Sequence, residues 1–221
     1  MAGQITHMEI AYRLAERLGI DEGIEEFILG SVAPDSVHFA DNYLEKKIHS
    51  HIFENCGPWG DTQDYEQWLK NIKNFWEKYG TVEKDDKRRL FILGICAHCY
   101  TDYWNDLLIW RALQAKNVPP MDNENFKKVY APETMLIDRW LYQQLDRGPE
   151  ILELLGNSKE EDFGDFVRAI DMKNMKEHLI NTQYNLPDPI DVSGHRFYTS
   201  AMMLWFLDET TDRVFKQLKE L

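Results

Sequence analysis

The sequence predicts an all-α fold, a multi-helix bundle built around one buried central helix. Three observations carry that expectation. Apolar residues recur at helical spacing along nearly the whole chain, no β-hairpin signal interrupts them, and one segment, Leu90 to Ala97, is apolar almost all round. A helix that is apolar on every side is one enclosed by its neighbours. The 221 residues are 43% hydrophobic, with seven Trp, ten Tyr and eleven Phe, enough to fill a large core. No repeat, low-complexity stretch or linker divides them, so a single domain over residues 1–221 is expected.

The elements follow in chain order. Thr6-His7-Met8-Glu9 has the form of a capping box, and Ile10, Ala11, Leu14, Ala15 and Leu18 continue it as a helix that Gly19 closes. Asp21 to Leu29 reads as a second short helix ending at Gly30. Gly30-Ser31-Val32-Ala33-Pro34-Asp35 breaks the pattern, because a residue before proline avoids the α region. Val37 to Asn55 is mixed, and Gly57-Pro58-Trp59-Gly60 is a turn. Asp64 to Tyr79 is amphipathic, with Trp68, Leu69, Ile72, Phe75, Trp76 and Tyr79 on one side. Lys84 to Ala115 is the longest helical stretch, and Pro119-Pro120 ends it. Further helices are expected at 133–146, 149–155, 160–170 and 172–183. Pro187 and Pro189 mark a loop, and Ser193-Gly194 opens a last helix to the C-terminus.

Composition narrows the function. A net charge of −13, with basic clusters as short as Lys46-Lys47 and Lys87-Arg88-Arg89, argues against nucleic acid as a partner. No apolar run is long enough to span a bilayer, so no transmembrane segment is expected. The start, Met-Ala-Gly-Gln-Ile-Thr-His, has no basic stretch leading into an apolar one, so no signal peptide is read. With an odd count of cysteines, Cys56, Cys96 and Cys99, a reducing cytoplasmic location is expected. Cys96 and Cys99 read as small buried thiols, since a Cys-x-x-Cys inside a buried helix lacks what activates a redox pair.

The chemistry-bearing pair is His98 and Asp102, four residues apart and therefore on one helix face. Imidazole and carboxylate at that spacing are suited to a divalent cation, and the carboxylate can bridge two ions. The structural alternative is a core histidine held by a carboxylate. His7, near the start of the first helix, is favoured as a neutral ligand by the positive helix end. Asp35, in Ala33-Pro34-Asp35-Ser36, is either ordinary turn chemistry or a site residue. In His49-Ser50-His51 the two rings point apart on a helix, so one is a ligand and the other is not. His38 reads as a surface residue, and His178 and His195 stand alone. Phe197, Trp205 and Phe206 read as core.

Taken in order, Thr6-His7, Gly30 to Asp35, Ser50-His51-Ile52-Phe53, and Gly94 to His98 with Asp102 resemble the zinc-dependent phospholipase C family. The all-helical fold of that family is shared with fungal single-strand nucleases. The resemblance runs through about the first half of the chain. It implies that His51, His98 and Asp102 hold one metal, that His7 and a bridging Asp102 belong to a second, and that Asp35 is a ligand or the base that orients the attacking water. It implies one or two Zn2+ ions, with other divalent metals possible, and metal-assisted hydrolysis of a phosphoester small molecule or a phospholipid head group. Two departures from the family stand out. Its toxins begin with a Trp whose amino group binds metal, whereas this chain begins Met-Ala-Gly. They also carry a later His-x-x-x-Glu, whereas here Asp106 stands four after Asp102 and no such pair follows. The alternative is therefore a catalytically reduced helical metal-binding or scaffold protein. A phosphohydrolase of the His-Asp superfamily needs a His-Asp dipeptide, and none exists.

Overall fold

The structure, a computed structural model, describes residues 2–115 and 123–221. The fold is all-α. Helix α1 spans Gln4–Leu18, α2 Ile24–Gly30, α3 Tyr43–Ser50, α4 Tyr65–Phe75, α5 Asp86–Asn105, α6 Arg111–Ala115, α7 Asn123–Gln144, α8 Gly148–Asn157, α9 Ala169–His178 and α10 Ser200–Leu218. A 3-10 segment, Ala33–Phe39, joins α2 to α3, and π-helical turns extend α4, α5 and α9. Among the described residues the sole β pairing is an isolated bridge between Phe163 and Val167.

Helix α5 is the buried centre, as its all-round apolar stretch predicts, with α1, α2, α4 and α10 packed on it. Its closest partner is α2, and the reason is a pair of glycines. A Cβ on Gly94 would lie 2.4 Å from the Phe27 carbonyl oxygen, and one on Gly30 would lie 2.1 Å from that of Phe91. The two helices thus meet backbone to backbone, a crossing that any side chain at either position would block. Gly94, His98 and Asp102 repeat every four residues along α5, so the close crossing sits on the face that carries the polar pair.

Five expectations are corrected. There is no capping box at Thr6: α1 begins at Gln4 with Gly3 at its N-cap and no side-chain cap. A Cβ on Gly3 would lie 2.0 Å from Asp138 Oδ1, so the chain enters the helix close against α7. The segment 160–170 is not a helix. Gly164 takes φ +55°, and Phe163 and Phe166 turn inward against Phe75 and Tyr79, so aromatic packing overrides local propensity. The last helix opens at Ser200 rather than at Ser193-Gly194, because the Thr199 side chain caps it by accepting from the Met202 N–H. Trp205 is 48% exposed rather than core, while Phe197 and Phe206 are buried. Helix α7 starts well before 133 and carries Pro132 within it. The turn read at Pro119-Pro120 lies outside the described residues. No helix of the described residues is long and apolar enough to cross a membrane.

Candidate metal centre

Five donors predicted from the sequence come together at the heart of the bundle. His7 enters from α1, Asp35 from the 3-10 segment, His51 from the end of α3, and His98 and Asp102 from α5. All five are buried. The His7 and His98 rings stack with centroids 3.9 Å apart at 12°, and His51 meets His98 edge-on at 4.9 Å. Asp102 lies among them, with Oδ1 3.4 Å from His7 Nε2 and Oδ2 3.5 Å from His98 Nε2 and 3.7 Å from His51 Nε2. Two overlapping triads, His7-Asp35-His98 and His51-His98-Asp102, have donor atoms all within 4.8 Å of one another.

The backbone around the cluster orients these donors. His98 Nδ1 lies 2.8 Å from the Ser31 carbonyl, which the Gly30–Gly94 crossing brings alongside. A carbonyl only accepts, so Nδ1 carries the proton and Nε2 is left facing the cluster. His51 repeats the arrangement, with Nδ1 3.0 Å from the Lys47 carbonyl and Nε2 turned inward, 3.2 Å from Asp35 Oδ1. Holding the outer nitrogen by a backbone carbonyl is the usual support of a metal-ligating histidine. The Ala2 backbone N–H donates to Asp102 Oδ1 at 3.0 Å.

What makes the cluster a candidate cation site is the set of atoms left over. Both ring nitrogens of His7, Nε2 of His98 and Oδ2 of Asp102 are buried and make no hydrogen bond. Buried polar atoms are almost always paired, and each orphan costs about 1–3 kcal/mol. Imidazole nitrogens and a carboxylate oxygen in one place are a donor set that fits a divalent transition ion, zinc foremost.

The electrostatics agree. Burial lowers the His7 pKa, helped by neighbouring His98 and only partly opposed by Asp102. Burial likewise drives His51 down to about 3, against the pull of Asp35. Both rings are therefore neutral and able to coordinate. Burial also pushes His98 down, but Asp102, Asp35 and the Ser31 carbonyl outweigh it and raise the ring. Burial alone would raise both carboxylates. Instead Lys47, His38 and His51 hold Asp35 well below the ordinary range, and His7 and His98 do the same for Asp102.

Two cavities flank the cluster. One of about 460 Å³ opens on Asp102 and is walled by Tyr43, Phe53, Trp59, Trp68 and Trp110, with Asp106 at its side. The other, about 440 Å³, opens on Asp35 beside Gln4, His38, Met135 and Asp138. A third, about 290 Å³ between Glu26, Arg88 and Phe163, touches no cluster residue.

The remaining histidines separate as follows. His49 points away from His51, toward Glu54 and Asp165. His178 packs on Phe39, and His195 Nδ1 meets the Tyr198 carbonyl. His38, read as a surface residue, has a partly exposed ring but reaches Lys47 Nζ at 3.0 Å and Asp35 at 3.6 Å. Asp106 accepts from the Tyr65 hydroxyl and stays outside the cluster. Lys47, read as part of a basic surface cluster, is 1% exposed, with its ammonium on Asp35. Gln4, which donates to Asp35 Oδ2 at 2.7 Å, was also not predicted. Their positions were a legible signal, since Lys47 stands four residues before His51 and Gln4 three before His7, each on its ligand's helix face.

No curated protein and no solved structure matches the chain. A family comparison does, and the segment that it covers, residues 6–104, contains all five donors. Over that segment the chain matches the zinc dependent phospholipase C family.

Proposed function

We propose that the protein is a metal-dependent phosphoester hydrolase acting on a phosphodiester or a phospholipid head group. The observation that carries this reading is the buried, unpartnered set of His7, His98 and Asp102 atoms turned toward one another inside a segment with the family's match. His51, His98 and Asp102 would hold the ion, with His7 beside them. When bound, a divalent ion supplies the acidity that activates a water and the Lewis-acid pull on a phosphoryl oxygen. The chain's own contribution is placement. The Ser31 and Lys47 carbonyls fix which nitrogens of His98 and His51 face inward. Asp35, ionised throughout the physiological range, donates to an ion or orients the attacking water. The aromatic walls on the Asp102 side exclude bulk water and offer flat apolar surface to the ester's organic group.

The test begins with metal. Protein purified without chelator should carry zinc and melt at a higher temperature when zinc is added. A phosphodiester panel should then show turnover that His98→Ala and Asp102→Ala abolish. Equal background rates in all three proteins would remove the hydrolase. A second reading, a metal-binding scaffold without turnover, is favoured by the small donor set, because among the described residues the two triads draw on these five side chains alone. Zinc binding with no hydrolysis across the panel would select it.

A further inference from the structure

The carboxylates of the cluster are served differently. Asp102 keeps one oxygen, Oδ2, without a hydrogen bond. Both oxygens of Asp35 accept a hydrogen bond, Oδ2 from the Gln4 amide at 2.7 Å and Oδ1 from Lys47 Nζ at 3.3 Å, while His51 Nε2 lies 3.2 Å from Oδ1. The lysine belongs to the same turn that delivers His51, whose Nδ1 is held by the Lys47 carbonyl. Its ammonium lies in a cage made for a cation: Asp35, the Nε2 lone pair of His38 at 3.0 Å, and the rings of Tyr43 and Trp59 at 5.2 and 5.1 Å. A lysine is seldom enclosed like this unless its charge is matched.

We propose that Lys47 is the resident cation of this site: its ammonium stands beside Asp35 in place of a second metal ion, so the cluster takes one divalent ion, on His51, His98 and Asp102. This rests on the metal-site reading above. Charge favours it. With neutral histidines, Asp35, Asp102 and Lys47 sum to one negative charge, which one divalent ion turns into one positive charge. A second ion would leave three positive charges in a buried space, where like charges are poorly screened. Of the two triads, the one that needs Asp35 competes with Lys47 for that carboxylate, and the one built on Asp102 does not.

The experiment counts ions. Wild type and variants are loaded with zinc, desalted, checked for fold by circular dichroism, and measured for zinc per chain by elemental and native mass spectrometry. Wild type should bind one ion. Lys47→Met, which keeps the stem and removes the charge, should bind two, and Lys47→Met with Asp35→Asn should return to one. Lys47→Arg should stay at one. Asp35→Asn in the wild-type background should keep its ion, a comparison that stands even where Lys47→Met does not fold. Two ions in wild type, equal counts in wild type and folded Lys47→Met, or loss of the ion in Asp35→Asn would each overturn the role of Lys47 while leaving the metal site standing. No zinc in any protein would overturn both.

Discussion

Two buried aspartates, Asp102 in the α5 cluster and Asp138 in the seam between α1 and α7, have pKa values shifted in opposite directions. Burial penalises the charge of both. Around Asp102, two histidines outweigh it and drive the carboxyl far down. Around Asp138, the partners are a tyrosine hydroxyl at 2.5 Å and a glutamine amide at 3.1 Å, both neutral, and the carboxyl rises to about 6. The first aspartate keeps an unpaired oxygen facing three imidazoles, and the second ties Tyr184 and Thr6 into the wall. A buried carboxylate is thus a candidate cation ligand by what its neighbours leave unsatisfied, not by its burial.

The contrast can be broken most sharply at His98. Removing this ring takes a donor from both triads, so His98→Ala should weaken zinc binding by about 100-fold or more, measured by competition with a chelator. An unchanged affinity would mean the cluster is structural, as Asp138 is. Next comes the crossing that positions the ring. Gly94→Ala in an ordinary helix would stabilise by up to about 1 kcal/mol, but here the added methyl meets the Phe27 carbonyl. A loss of roughly 3 kcal/mol in denaturant melts, with weakened zinc binding, is expected. A gain in stability would show that α2 and α5 are not in backbone contact.

Asp138 supplies the opposite sign. Its folded pKa of about 6 lies above the ordinary 3.8, so between those values the folded state holds a proton that the unfolded state has lost. Stability from this group is full below about pH 4, falls as pH rises to about 6, and is then lost by up to roughly 3 kcal/mol. Asp138→Asn should flatten that slope and raise stability at pH 7 and above, leaving acid stability unchanged. A steeper slope in the variant would reverse the assignment. The smallest effect concerns the proton on His98. Because its pKa is raised, zinc must displace a proton, so affinity should fall by up to about tenfold per pH unit as pH drops through that pKa. Calorimetry in buffers of different ionisation heat would read the released proton, and zero release would place the ion elsewhere.

Much of this site is written in short-range spacing. His98 and Asp102 share a face because helix geometry alone puts residues four apart together, and the order of His7, Asp35, His51, His98 and Asp102 carries the family resemblance. The burial of α5 is equally local, since Leu90 to Ala97 leaves no polar side for water. The segment 160–170 departs from the helical expectation because Phe163 and Phe166 pack on Phe75 and Tyr79, which are distant in sequence. Lys47 looks like one more surface charge beside Lys46 until Asp35, twelve residues away, closes over it.

The sequence by itself determined the all-α class, most of the helices, the central position of α5 and the five candidate donors, because periodicity and ligand spacing are properties of a single helix or loop. Only the tertiary structure decided how those donors meet. The Gly30–Gly94 approach turns His98 by its Ser31 contact, the stack of His7 on His98 joins α1 to α5, and Lys47 settles on Asp35 rather than in water. Each of these depends on groups brought together from separate helices, where burial and neighbouring charge, rather than residue type, set whether a side chain is ionised, paired or left without a partner.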